Sequence, residues 1–162
     1  MPYYFLDYDD IKEQDLNIEN EDFVSLIETC FKYSTRFSLV FRSIMDADSF
    51  NKGFMPLCVE KMTSSDEIRN FKVLYDCNQS NKNQLLKTTK KLFNLDVVNG
   101  CIIPEDLTFY RDDGKVFFWS ETHEGVCAIF DSNENVSEIV NKRGWHKFDP
   151  QKLNLYVPMN LI

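Results

Sequence analysis

Apolar side chains recur along this chain with two different periods, and the points where the period changes divide it into elements. Phe23, Leu26, Ile27, Cys30 and Phe31 stand at i, i+3, i+4, i+7 and i+8, which is one face of an amphipathic helix over residues 20 to 33. Asn20 offers its cap, and Glu21 and Asp22 sit where the helix dipole favours negative charge. "RFSLVFRS" then has period two. Phe37, Leu39 and Phe41 face one way, and Val40 on the other side predicts a strand covered on both faces and internal to a sheet. "FMPLCVEKM" reads as an edge strand, because Pro56 has no amide hydrogen to give to a ladder. Ser64 and Glu67 have the spacing of a capping box for a short helical turn. "FKVLYDC" alternates again through Phe71, Val73 and Tyr75. From Ser80 the helical period returns and predicts a helix over residues 81 to 93, with Leu85, Leu86, Thr89, Leu92 and Phe93 inward. Lys87, Lys90 and Lys91 fall late in it, at its negative end.

The later half is richer in strands. "DLTFYRDDGKVFFWSETHEGVCAIF" predicts a three-stranded meander over residues 107 to 111, 115 to 121 and 126 to 130, with Gly114 and Gly125 supplying the turns. Strict alternation in the middle strand puts Val116 and Phe118 on one face and Phe117 and Trp119 on the other, so that strand is expected to be central. "PYYFLDY" predicts a short N-terminal strand and "NGC" a turn at residues 99 to 101. A last helix is expected over residues 135 to 142, with Val136, Ile139 and Val140 inward and Gly144 as its stop. "KLNLYVP" can close the sheet. Helices and strands without a regular βαβ alternation favour an α+β fold, a single domain with a mainly antiparallel sheet and about three helices. The expected core includes Phe23, Ile27, Phe31, Leu39, Phe41, Leu86, Phe93, Val116, Phe118 and Ile129.

Composition agrees with one self-sufficient core: of 162 residues, 43% are hydrophobic and 14% aromatic, too many core formers for a disordered chain. No linker, repeat or low-complexity tract interrupts it. Cys30, Cys58, Cys77, Cys101 and Cys127 are scattered singly with no CxxC pair, which predicts reduced, buried thiols. No apolar run approaches the roughly 20 residues of a membrane helix, and "MPYYFLDYDD" lacks the basic and apolar regions of a signal peptide. The expected location is therefore the cytoplasm, with no membrane contact.

Charge changes the picture. The formal net charge is −8, and residues 1 to 30 hold nine acids and one base, leaving seventeen of each in the rest of the chain. The stretch "DYDDIKEQDLNIENED", residues 7 to 22, carries eight of those acids against Lys12 alone. The dipole of the helix that follows accounts locally for Glu21 and Asp22. Asp7, Asp9, Asp10, Glu13, Asp15 and Glu19 repel one another and oppose compact packing, so a solvated leader and a surface that uses the field are the two readings. The second expects a basic protein as partner, with Tyr3, Tyr4, Phe5 and Tyr8 available as apolar anchors. Direct binding of nucleic acid is not expected, because it needs clustered Lys and Arg.

Catalytic chemistry finds little support in the residue pattern. "SETHEG" gathers Ser120, His123 and Glu124, but neighbours at a tight turn point in different directions and no GxSxG elbow precedes the serine. That segment reads first as a hairpin turn, with Glu121, His123 and Glu124 available for partner contact. No metal site is expected, since His146 is the one other histidine and HExxH is absent. "DADSFN" begins like a calcium loop, but Asn51 stands where glycine is required and no glutamate closes it. No phosphate-cradling glycine motif is present, so no cofactor is expected. The chain is expected not to be an enzyme. The competing classes are a small enzyme using His123 and Glu124, and a nucleic-acid mimic that occupies a DNA-binding enzyme.

With its acidic charge, "FYRDDGKVFFWSETHEGVCAIF" followed by "VSEIVNKRGW" resembles the bacterial immunity proteins of contact-dependent and polymorphic toxin systems. The likeness covers organisation over roughly residues 105 to 145 together with the overall charge. It implies a protein that binds and neutralises a cognate basic toxin domain, often a nuclease. Those families are structurally diverse, so the resemblance assigns no interface residue. From charge, Asp7, Tyr8, Asp9, Asp10, Glu13, Asp15, Glu19, Glu121, His123 and Glu124 form the candidate partner-binding set.

Overall fold

The computed structural model describes residues 3–7, 20–62, 70–89, 91–93, 97–98, 101–102, 104–122, 125–131, 136, 139 and 145–148. In chain order these give β1 (Tyr3–Asp7), α1 (Asn20–Tyr33), β2 (Arg36–Phe41), α2 (Ile44–Phe50), β3 (Pro56–Met62), β4 (Asn70–Asp76), α3 (Gln79–Thr88), β5 (Val97–Val98) and β6 (Cys101–Ile102), then β7 (Glu105–Tyr110), β8 (Val116–Glu121), β9 (Val126–Ile129) and β10 (Trp145–Phe148). Eight strands join edge to edge in the order β10, β1, β9, β8, β7, β2, β4, β3, and β5 pairs with β6 separately. Every pairing is antiparallel. The fold is α+β.

One face of the sheet carries the main core. Phe37, Leu39 and Phe41 of β2, Val73 and Tyr75 of β4, Leu107 and Phe109 of β7, and Cys127 and Ile129 of β9 meet Phe23, Leu26, Ile27 and Cys30 of α1 and Leu85 of α3. The period-two and period-3.6 patterns thus bury against each other. Phe37 sits at the centre, its ring 4.9 Å from Tyr75, 5.4 Å from Phe31 and 5.4 Å from Phe109. α1 and α3 lie antiparallel on this face: Phe31 and Lys32 of α1 border Gln79 and Lys82 of α3, while Phe23 and Val24 border Leu86.

The middle strand departs from simple alternation. Tyr110 pairs with Val116 and Phe109 with Phe118, so Phe117 is an extra residue in a β-bulge. The bulge turns Phe117 and Phe118 to the same side, into the main core, while Val116 and Trp119 join Val126, Ala128 and Phe130 in a second cluster on the other face. The expected partition of Val116 with Phe118 and Phe117 with Trp119 is therefore corrected, because one inserted residue shifts the period by one.

Other boundaries move for local reasons. α3 is capped by Asn78, whose side chain accepts from the Asn81 amide at 2.8 Å, two residues ahead of the expected Ser80. It also stops at Thr88, short of residue 93. Thr88 and Thr89 hydroxyls donate back to the carbonyls of Gln84 and Leu85 at 2.7 and 2.8 Å, and Thr89 is extended, the competition that makes such residues poor helix interiors. Leu92 is still buried and Phe93 half-buried beyond the helix. α2 has no counterpart in the sequence reading. Ser43 caps it by accepting from the Asp46 amide at 3.1 Å and donating to the Asp46 carboxylate at 2.6 Å. "DADSFN" is thus helix, with Ala47 buried. β10 comes from "WHKF", which the sequence reading did not assign to a strand; "KLNLYVP" lies outside the described residues, as does the capping box at Ser64 and Glu67. The expected last helix also lies largely outside them, but Val136 and Ile139 are both buried in the main core. Cys58 is exposed, against the expectation of buried thiols, because β3 is the edge strand. Cys30 and Cys127 are buried and Cys77 is half-buried.

Candidate protein-binding surface

Strand directions define two ends of the sheet. Arg36, Asp76 and Tyr110 share one row near one end. Asp7, Val126 and Glu121 share a row at the other: Val126 pairs with Asp7 on one side and Glu121 on the other. Strands stand about 4.8 Å apart, so Asp7 and Glu121 are about 10 Å from each other across one intervening strand. Asp7 and Glu121, far apart in sequence, therefore lie at one end of the sheet. Sequence reasoning nominated Asp7 and Glu121 without a reason for them to share a row; that reason is the insertion of β1 between β10 and β9.

α1 extends this acidic end. It spans 14 residues, about 21 Å at 1.5 Å per residue, and its last turn stands over the opposite end, where Tyr33 packs 5.6 Å from Phe117. Its first turn accordingly lies toward the end where β1 finishes. Glu21 and Asp22 are exposed there, and Glu28 is exposed further along the helix. Between α1 and α3 runs a groove of about 500 Å³ whose lining includes Glu21, Val24, Glu28 and Leu86. Val24 is one of few exposed large apolar residues among those described, at 40%.

The hairpin between β8 and β9 is held by residues the sequence reading did not single out. Asp106 adopts a φ of +53°, a left-handed conformation that Asp tolerates better than most residues. Its carboxylate accepts from the Thr122 amide at 2.8 Å, and its own amide donates to the Thr122 hydroxyl at 3.1 Å. Gly125, at φ +65°, closes the turn by donating to the Thr122 carbonyl at 3.3 Å. Next to this clasp, the buried carboxylate of Glu105 accepts from Arg42 at 3.0 Å. Glu105 and Asp106 thus serve the fold, whereas Glu121 is half-buried at the strand end.

Of the candidate set, the backbone of Asp7 and the whole of Glu121 are placed, and they fall in one row. Tyr8, Asp9, Asp10, Glu13, Asp15, Glu19, His123 and Glu124 lie outside the described residues. Tyr4, considered as an anchor, packs against the main core instead, because β1 is an inner strand. Ser120 is fully buried and its hydroxyl donates to the Leu107 carbonyl at 3.1 Å. Among the described residues no group of three or more His, Cys, Asp or Glu side chains is arranged to hold a metal ion, and no helix is long and apolar enough to cross a membrane. Compared with protein-family models, curated proteins and solved structures, the chain has no match in any of the three.

Proposed function

We propose that this protein is an immunity-type inhibitor that binds and blocks a basic toxin domain of the nuclease class. The observation that carries this reading is the segregation of charge: the whole formal charge of −8 resides in the first thirty residues. Its support in the fold is the common row of Asp7 and Glu121 and the exposed acids of α1. A nuclease grips its substrate through clustered Lys and Arg, and a concentrated acidic field competes for those cations. Such a field accelerates encounter and fades over a Debye length of about 8 Å at physiological salt. Exposed ion pairs contribute only about 0.2 to 1 kcal/mol each. The acids therefore act chiefly on association rate, and affinity requires apolar contact as well, for which the groove beside Val24 is available.

The test combines capture, rescue and kinetics. A basic partner is captured with the full chain, and co-expression is then expected to protect cells from that partner. Replacing Asp9, Asp10, Glu13 and Asp15 by their amides is expected to slow association and flatten its salt dependence, with dissociation changed less. A variant that associates as fast as the parent at low salt would show the acidic segment to be a solvated leader, and failure of rescue would overturn the inhibitor reading.

A further inference from the structure

The face of the sheet opposite the helices carries a feature of the opposite sign. A cavity of about 200 Å³ there is lined by Arg36, Lys72, Leu74, Tyr110 and Gly114. Among the described residues no carboxylate contributes to its lining. Arg36 stands beside Tyr110 in the β2 and β7 register. Lys72, which pairs with Val40 four positions further along β2, reaches diagonally so that its Nζ lies 5.2 Å from the centre of the Tyr110 ring. The Tyr110 hydroxyl is 3.0 Å from the Ser38 hydroxyl, and Ser38 is only 1% exposed. With Ser38 donating, the phenolic proton of Tyr110 is left for a ligand. At Gly114, φ is +81° and nothing stands within 4 Å of where a Cβ would be, so this wall leaves space.

Two cations thus flank one phenol, in a chain with 26 acids and 18 bases, and among the described residues neither makes an ion pair. Lys72 is held by a π face instead, an interaction of about 0.5 to 1 kcal/mol at exposed sites that an anion can join without displacing a carboxylate. The nearest acids in register are Asp76, opposite Arg36, and Glu60, opposite Lys72. Asp76 is exposed and makes no ion pair with Arg36. Its charge opposes an incoming anion without occupying the pocket.

We propose that the Arg36, Lys72 and Tyr110 pocket, on the face of the sheet opposite α1 and α3, binds a phosphoryl group. A carboxylate offers one charge and two oxygens, whereas a phosphoryl group brings close to two negative charges and three acceptor oxygens, matching a guanidinium fork, an ammonium and a phenol together. Leu74 and the Tyr110 ring give an attached apolar group a surface to rest on. This site does not depend on the inhibitor reading, since it lies on residues that the acidic surface does not use.

The experiment is an NMR titration of the full chain with inorganic phosphate, phenyl phosphate and acetate at constant ionic strength. Phosphate and phenyl phosphate are expected to shift the amides of Arg36, Lys72, Leu74, Tyr110 and Gly114 saturably, and acetate to bind more weakly. Tighter binding of phenyl phosphate than of phosphate identifies an organic phosphoryl ester as the ligand, and equal binding identifies the free anion. Arg36→Gln is expected to weaken binding about tenfold, the scale of one charge-assisted hydrogen bond, and Lys72→Met to weaken it further. Asp76→Asn is expected to strengthen it. Arg36 is exposed, so a dispersed spectrum of Arg36→Gln keeps the test valid even if Lys72→Met disturbs the sheet. The proposal is overturned if no saturable shifts appear at these amides, if acetate binds as tightly as phosphate, or if the folded Arg36→Gln variant keeps the parent's affinity.

Discussion

The two faces of the sheet are made by the same strands and differ in almost everything else. On the helix-covered face, nearly every inward position of β2, β4, β7 and β9 is aromatic or aliphatic and fully buried. On the other face the character changes across the sheet. Val116, Trp119, Val126, Ala128 and Phe130 form a compact apolar cluster over β8 and β9, whereas Arg36, Lys72 and Tyr110 line an open cationic cavity over β2, β4 and β7. The helix-covered face is under packing constraint throughout, and the other face has room for polar chemistry only where it lies away from β8 and β9. The boundary between its two halves runs beside the bulge at Phe117, where an extra residue reassigns side chains between the faces.

The sharpest way to break this comparison is to remove bulk from the helix-covered face. Phe118→Ala is expected to destabilise the fold by about 3 to 5 kcal/mol, through lost transfer energy and a residual cavity; an unchanged melting temperature would remove Phe118 from the core. A smaller effect sharpens the placement of the bulge. If Phe117 faces α1, a double-mutant cycle of Phe117→Leu with Tyr33→Leu is expected to give a coupling of about 0.5 to 1.5 kcal/mol, and no coupling would restore strict alternation. On the open face Tyr110→Phe is expected to cost about 1 kcal/mol by leaving the buried Ser38 hydroxyl without its partner, read from chemical denaturation.

The smallest effect concerns the thiols. Burial pushes the Cys30 and Cys127 thiols well up and, with the Asp76 charge adding to it, raises Cys77 to about 12 from 9.0. Unfolded thiols ionise first, so the unfolded state binds fewer protons above pH 9. Stability is then expected to fall as pH rises from about 9 to about 12 and to be unaffected by these groups at neutral pH. At pH 8 a thiol reagent is expected to modify Cys58 at the open edge before Cys30, Cys77 and Cys127, and equal labelling in the folded state would contradict the burial of Cys30 and Cys127.

Much of the architecture was legible in the order of residues. α1 and β2 lie where the 3.6 and 2.0 periods place them, β3 is the edge strand that Pro56 implies, and the meander of β7, β8 and β9 sits within two residues of its expected limits. Those elements are local: a face of apolar side chains and a turn residue suffice to define them. α2, β10, the early stop of α3 and the bulge were not legible. α2 and β10 are seven and four residues long, too short for a period to register, and α3 ends where hydroxyls compete with amides for carbonyls.

The candidate surfaces divide in the same way. The concentration of acids in residues 1 to 30 is a property of sequence alone and needs no fold to be counted. That Asp7 and Glu121 share one row, that Ser120 is buried against Leu107, and that Arg36 and Lys72 converge on Tyr110 were decided by strand order. Residues 36, 72 and 110 are brought together by pairing between strands distant in the chain. Local periodicity selects which face a side chain takes, but pairing partners are chosen by how the whole set of apolar faces can be buried at once, and that is a property of the assembled sheet.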